Sequence, residues 1–325
     1  MLNSKIEMIK DACVQLINCK DDFFYMKQGV DKLYNIFKTI SGVDINDLNH
    51  GEIMLPSGKA ISPSAAAHCL LEMKRTAVFL RGIKKAIDSK AKNKIGSIDI
   101  LYAGCGPYAT LITPLLTMYN ANEIKITLLD INQASLLAVE KLLKGLDLEH
   151  FIDEYILADA SNYKINKEYD IVISETMQAC LQNEPQVSIM QNLIPQLKDN
   201  AIFIPQKISI DAFLRNPGRW DEIKGIRVGM ESKFLKEVFY VDKTNLDSSK
   251  YKQIVNIPDK LDGFIELVLH TTIVVFEDEE LEVNNCSLNM PIKFYEFEKL
   301  YAKVIEFWYS LSDKPKIECK VVEFV

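Results

Sequence analysis

The spacing of apolar positions changes character twice along the chain. Over residues 1–95 it is helical: Ile6, Ile9, Cys13, Leu16 and Ile17 form one stripe. A second helix is predicted over 21–40, ending before Ser41-Gly42, and 43–60 reads as loop. Ser62-Pro63 then caps a long helix predicted over 64–91, with proline in its first turn.

Over 97–205 short apolar runs alternate with helical patterns. Strands are predicted at 98–102, 125–129, 155–157, 170–174 and 201–205, and helices at 109–118, 133–146 and 185–197. This alternation predicts an α/β layer structure: a parallel sheet with helices on both faces. From 206 the pattern turns to strands, at 207–214, 237–240, 264–276 and 316–324, with helical pieces near 230–238 and 294–310. Asp262-Gly263 marks a turn. The expected organisation is an N-terminal helical region (1–95), a nucleotide-binding α/β domain (96–205) and a β-rich C-terminal domain (206–325).

Composition narrows the function. Of 325 residues, 48% are hydrophobic and 26% charged, which predicts a sizeable core rather than disorder. The net charge is −7 and no lysine or arginine block occurs, which argues against a nucleic-acid groove. The seven cysteines are scattered and form no CxxC pair, so neither a structural metal site nor a disulfide framework is expected. Reduced thiols in a cytoplasmic protein are the simpler reading. The N-terminal run alternates charged and apolar residues, unlike a signal peptide. No apolar run reaches about 18 residues, so no membrane span is predicted.

Candidate chemistry clusters at the strand ends of the α/β region. Gly104-Cys105-Gly106 follows the first strand, where glycines let the backbone approach a ligand; Gly104-x-Gly106-x-x-Ala109 also fits a dinucleotide fingerprint. Asp130 ends the second strand, where an acid reaches ribose hydroxyls, although a helix N-cap accounts for it equally. Asp159 follows the third strand and either accepts from an adenine amino group or terminates the strand. Glu175 and Glu184 lie nine positions apart on the loop after the fourth strand. Ligands bind at the carboxyl ends of such strands, so two acids there suit a cation better than two solvated loop residues would.

In this order the residues resemble the Rossmann-like S-adenosylmethionine-dependent methyltransferases, and more narrowly the protein arginine methyltransferase branch. The run 174–184, Ser-Glu-Thr-Met-Gln-Ala-Cys-Leu-Gln-Asn-Glu, is similar to that family's double-glutamate loop. The run 69–76 resembles its helix that closes over the cofactor, and His270-Thr271 resembles its His-Trp loop. The resemblance implies catalytic roles for Glu175, Glu184 and His270. It implies cofactor contacts from Arg75, on the methionine carboxylate, and from Gly104, Gly106, Asp130 and Asp159. Glu72 and Met177 fall to the acceptor. This sequence departs from the family at Tyr102, where an acid is usual, at Pro107-Tyr108, at Thr271 in place of tryptophan, and at Gln178, Ala179 and Gln182 in place of aromatics. No long dimerisation arm is evident after Pro205.

The expectation is therefore a Rossmann-like methyltransferase sheet carrying an N-terminal helical region and a C-terminal β-rich domain. The reaction expected is S-adenosyl-L-methionine-dependent N-methylation of a guanidino or amino group on a small molecule, amino acid or short peptide. Alternatives are O- or N-methylation of an unrelated small molecule, an NAD-dependent dehydrogenase, and a non-catalytic cofactor-binding partner. No nucleic acid or membrane partner is expected, and a homodimer stays open.

Overall fold

A computed structural model describes residues 2–47, 51–92, 94–247, 251–297 and 302–324. Two helices begin the chain, α1 (Leu2–Asn18) and α2 (Phe23–Ser41). α1 buries Ile9, Ala12, Cys13 and Leu16; α2 buries Met26, Val30, Leu33 and Phe37. The Asp22 carboxylate caps α2, accepting from the amides of Phe24 (2.9 Å) and Tyr25 (3.3 Å), which satisfies donors that the helix cannot. The segment predicted as loop carries a hairpin, β1 (Ile53–Leu55) with β2 (Gly58–Ala60).

The single long helix expected over 64–91 is two helices. α3 (Pro63–His68) is capped by the Ser62 hydroxyl; a 3₁₀ turn over Cys69–Leu71 follows, and α4 (Met73–Ala91) starts afresh. The chain breaks at Glu72, whose backbone (φ −76°, ψ 85°) leaves the helical region. Thr76 stabilises the break by donating its hydroxyl to the Leu70 carbonyl (3.0 Å).

The α/β region forms one five-stranded sheet from β3 (Ile98–Ala103), β4 (Ile124–Asp130), β5 (Ile152–Leu157), β6 (Ile171–Ser174) and β7 (Ile202–Ile204), ordered β5-β4-β3-β6-β7. Every pairing is parallel. β3 and β6 are buried at nearly every position, as expected of strands covered on both faces. The order reverses between β3 and β6, which opens a crevice at their carboxyl ends. Of the predicted helix 109–118 only α5 (Thr113–Leu116) forms. The reason is local: Ala109 adopts φ +42° and the Thr113 hydroxyl is held by the Tyr108 carbonyl (2.7 Å), so the glycine turn runs on through tight turns. α6 (Gln133–Gly145) and α7 (Gln186–Leu193) complete the layer.

The C-terminal part is antiparallel. Its first sheet joins β8 (Lys207–Asn216), β11 (Glu231–Asp242), β13 (Glu266–Phe276), β14 (Glu279–Leu281) and β15 (Ile292–Glu296); a short hairpin, β9 (Arg219–Asp221) with β10 (Ile226–Val228), follows β8. Its second sheet is β12 (Lys252–Asn256), β16 (Ala302–Ser310) and β17 (Lys316–Phe324). Phe239 of the first sheet stacks on Tyr309 of the second (4.7 Å, 18°). The helical pieces expected near 230–238 and 294–310 are strands. Ile305, Phe307 and Tyr309 are buried at every second position, a period-2 pattern that belongs to a strand. Residues 298–301 of the second piece lie outside those described.

One hydrophobic cluster runs without interruption from Ile9 through the parallel sheet to Ile317. α4 joins its two ends: Arg81 pairs with Glu279 of β14 (2.7 Å), and Val275 of β13 fills the space beside Gly82. None of the described helices is long and apolar enough to cross a membrane.

Candidate active site

A cavity of about 540 Å³ opens at the carboxyl ends of β3, β4 and β6. This is the size of pockets that enclose small ligands and cofactors. Of the residues singled out in the sequence, Arg75, Gly104, Gly106, Asp130, Asp159, Glu175, Met177 and Glu184 line it.

The cofactor-side groups are set by the turn after β3. Gly104 has φ +73°, and a Cβ there would lie 2.4 Å from the Thr176 methyl, so both its backbone and its space demand glycine. Asp130 is buried at the end of β4. One of its oxygens accepts from the Gly106 amide and the other from the Asn132 amide, each at 2.8 Å. Burial pushes its carboxyl up, against the pull of those amides. Each oxygen has a further lone pair for a ligand donor. The N-cap role belongs to Asn132, which accepts from the Ala134 amide (3.0 Å), so Asp130 is not the cap. Asp159 shapes its own turn, accepting from the Ser161 amide (2.8 Å) and the Asn162 side chain (3.1 Å).

Arg75 is central. The helix break at Glu72 places it in the first turn of α4, 6% exposed. One guanidinium nitrogen donates to Glu72 (2.8 Å), and another donates to Glu175. Glu72 does not line the cavity. It stands behind Arg75 and accepts from the Ser287 amide (2.9 Å) and hydroxyl (2.8 Å), so its contacts are with Arg75 and Ser287 rather than with the cavity. Burial works against its charge, but Arg75 and the two Ser287 donors together outweigh burial and hold its carboxyl below the usual range.

The two acids of the loop differ in environment. Burial raises the Glu175 carboxyl, opposed by Arg75, and one of its oxygens is buried with no hydrogen-bond partner. Glu184 has no cation in contact; burial, and then the charge of Glu175, push it up to about 7. Its hydrogen-bond donor is the Gln178 side chain (3.0 Å), itself held by Asn183 (3.1 Å).

The loop between the acids is conformationally expensive. Cys180, Leu181 and Asn183 all have φ between 55° and 64°, which side chains with a Cβ disfavour. Contacts from three directions hold it. The Thr271 hydroxyl accepts from the Cys180 amide (2.9 Å), the Tyr309 hydroxyl donates to the Leu181 carbonyl (2.8 Å), and the Asn183 amide donates to the Pro315 carbonyl (2.8 Å). Gln186, fully buried, accepts from the amide and hydroxyl of Thr176 (2.9 and 3.0 Å) and donates to the Ser174 carbonyl (3.1 Å). Gln186 and Ser287 were missed in the sequence. Gln186 reads there as the second residue of the helix predicted over 185–197, and Ser287 lies 215 residues from Glu72.

His270 stands apart. It does not line the cavity; its ring stacks on Phe213 (4.1 Å, 20°) in the β-rich part, and Nε2 is buried without a partner. Burial, then the nearby Arg215, pull its pKa below the usual value. The catalytic role that the resemblance implies for His270 is not supported, because it does not reach the cavity that holds Glu175 and Glu184. Alternation along β13 explains this: Thr271 faces the acid loop, so His270 faces the other side.

Among the described residues no group of three or more His, Cys, Asp or Glu is arranged to hold a metal ion. No protein-family model matches the chain, and no curated protein matches it by sequence. Similarity appears in structure. The Trypanosoma brucei PRMT1 enzyme–prozyme heterotetrameric complex with AdoHcy aligns with a TM-score of 0.55 and 14% identity, over 79% of this chain and 92% of that one. Arabidopsis thaliana protein arginine methyltransferase 10, in a uniquely open conformation, aligns with a TM-score of 0.44 and 14% identity, over 71% and 85% of the two chains. With its sheet order, β-rich part and continuous core, the chain has the fold of the T. brucei PRMT1 complex, the Rossmann-like methyltransferase fold.

Proposed function

We propose that this protein is an S-adenosyl-L-methionine-dependent N-methyltransferase acting on a guanidino or amino group of a small molecule, amino acid or short peptide. One observation carries the reading: Glu175 and Glu184 line the same cavity as the glycine turn and Asp130, and one Glu175 oxygen is buried without a protein donor. An orphaned buried carboxylate oxygen calls for a donor from a ligand. AdoHcy in the structurally similar T. brucei complex supports the choice of cofactor.

The residues present fit that cofactor. Asp130 suits the two ribose hydroxyls, Gly104 and Gly106 allow backbone approach, and Arg75 suits a carboxylate. When bound, the cofactor supplies an electrophilic methyl on a sulfonium. The protein's task is then alignment. A guanidinium is a poor nucleophile because its pKa exceeds about 12. Glu175 and Glu184 grip its planar fork, turning one nitrogen toward the methyl and holding positive charge on the other two. Methylation would form an N–C bond as the methyl's C–S bond breaks, with that electron pair leaving on the sulfur, and the nitrogen would lose a proton. Glu184, with a pKa of about 7 and no cation in contact, is the better base; Glu175 is tied to Arg75.

The dehydrogenase alternative has less support. The glycine turn continues into tight turns and a four-residue helix, where a dinucleotide fold uses the start of a long helix. Calorimetry with S-adenosylhomocysteine and with NAD separates the two. Methyl transfer from labelled cofactor, lowered at least about tenfold in Glu175→Gln and in Glu184→Gln, tests the chemistry. Binding of NAD in preference to S-adenosylhomocysteine overturns the proposal.

A further inference from the structure

Among the described residues, the cavity's charges leave one cation for the acceptor. Its lining holds four acids, Asp130, Asp159, Glu175 and Glu184, and two bases, Arg75 and Lys59. Arg75 is engaged by Glu72 and Glu175. Lys59 lies on the β1–β2 hairpin, on the side of Glu184, and its charge is felt there.

The hairpin holds Lys59 in a defined place. Its amide donates to the Asn183 carbonyl (2.6 Å), one residue before Glu184. The preceding Gly58 has φ +138°, and a Cβ there would stand 2.8 Å from the same carbonyl oxygen. The hairpin therefore rests backbone to backbone on the acid loop, which fixes the Lys59 Cα relative to Glu184. The Lys59 ammonium pairs with Glu52 (2.9 Å), whose side chain is 48% exposed. Pairs with one well-exposed partner add little net stability, so a ligand anion can displace Glu52 at little cost.

We infer that the acceptor is itself charged at both ends, with a cationic nitrogen gripped by Glu175 and Glu184 and a carboxylate a few atoms away that pairs with Lys59. This rests on the methyltransferase reading and narrows its acceptor from any guanidino or amino compound to one of free amino-acid type. A neutral or cationic chain bearing the same nitrogen leaves Lys59 with no new partner and gains nothing from it.

The test uses matched ligands that differ only in the carboxylate: L-arginine with agmatine, and L-lysine with cadaverine. Each is titrated calorimetrically into the full-length protein saturated with S-adenosylhomocysteine. In at least one pair the amino acid binds tenfold or more tightly than its decarboxylated partner. Lys59→Met narrows that ratio below about threefold, and Lys59→Arg restores most of it. Equal binding within each pair, or a preference that survives Lys59→Met, overturns the inference while the methyltransferase reading stands. Binding of S-adenosylhomocysteine without binding of any of the four ligands overturns the amino-acid acceptor. Absence of S-adenosylhomocysteine binding overturns the methyltransferase reading and this inference with it.

Discussion

The Thr271 hydroxyl, on a strand of the β-rich part, accepts a hydrogen bond from the Cys180 amide (2.9 Å) at the point where the acid loop enters its left-handed turn. The C-terminal sheet thus braces a strained loop that belongs to the parallel-sheet part. Thr271→Val keeps the shape and deletes the acceptor. Leaving the buried Cys180 amide without a partner should cost about 1–3 kcal/mol. Thr271→Ser should recover most of the loss. Denaturant unfolding of the three proteins checks this, and a Val variant as stable as the parent would show that the loop holds itself.

Glu184 predicts a pH dependence of stability. Its folded pKa of about 7 lies above the ordinary glutamate value of 4.5, so between these values the folded protein binds more protons than the unfolded chain. Stability from this residue is fully present below about pH 4.5 and is lost as pH rises through about 7. The size is at most on the order of 3 kcal/mol. Glu184→Gln should flatten this slope and raise the melting temperature at pH 8. Unfolding at several pH values tests it; parallel slopes for parent and variant would contradict it.

The two acids should differ under the same substitution. Glu175→Gln removes one of two carboxylates from buried Arg75, so it should destabilise by a few kcal/mol, less than the roughly 3–5 kcal/mol of a wholly broken buried pair because Glu72 remains. Glu184→Gln should not destabilise at neutral pH. Both should lose at least about tenfold in turnover, the scale of one charge-assisted contact. Thermal melts separate the pair, and activity tests both.

Asp130→Ala should weaken S-adenosylhomocysteine binding by about 1–3 kcal/mol, the cost of lost charged hydrogen bonds. The Gly106 and Asn132 amides also lose their acceptor, so the turn itself should loosen. Asp130→Asn is the control. It keeps one acceptor oxygen and should fall between parent and alanine. Calorimetry on all three proteins decides the ranking.

Arg75→Lys should be poorly tolerated. A lysine presents one ammonium where two guanidinium nitrogens reach Glu72 and Glu175 separately. Cofactor affinity and stability should drop together. A folded Lys variant with parental affinity would remove Arg75 from the cofactor site.

What the amino-acid order determined by itself was the local. Continuous burial on both faces wrote β3, β4 and β6 as apolar runs, and the glycine turn and the acids at strand ends stood where a parallel sheet must present its ligands. Helical periodicity found the stripe of α1 and set α2 and α6 within about two residues. The tertiary structure decided everything that depends on contacts between distant residues. The Glu72 carboxylate at the helix break is held by a serine 215 positions away, and no helical pattern encodes that contact. Two supposed helices became strands because a neighbouring strand supplied hydrogen bonds that propensity does not count. Thr271, read as a departure from a family pattern, became a brace, and His270, one residue earlier, turned away from the cavity on the opposite face of the same strand. Which of the two glutamates is paired to a cation was likewise unreadable in the chain, because it depends on where one arginine on another element comes to rest.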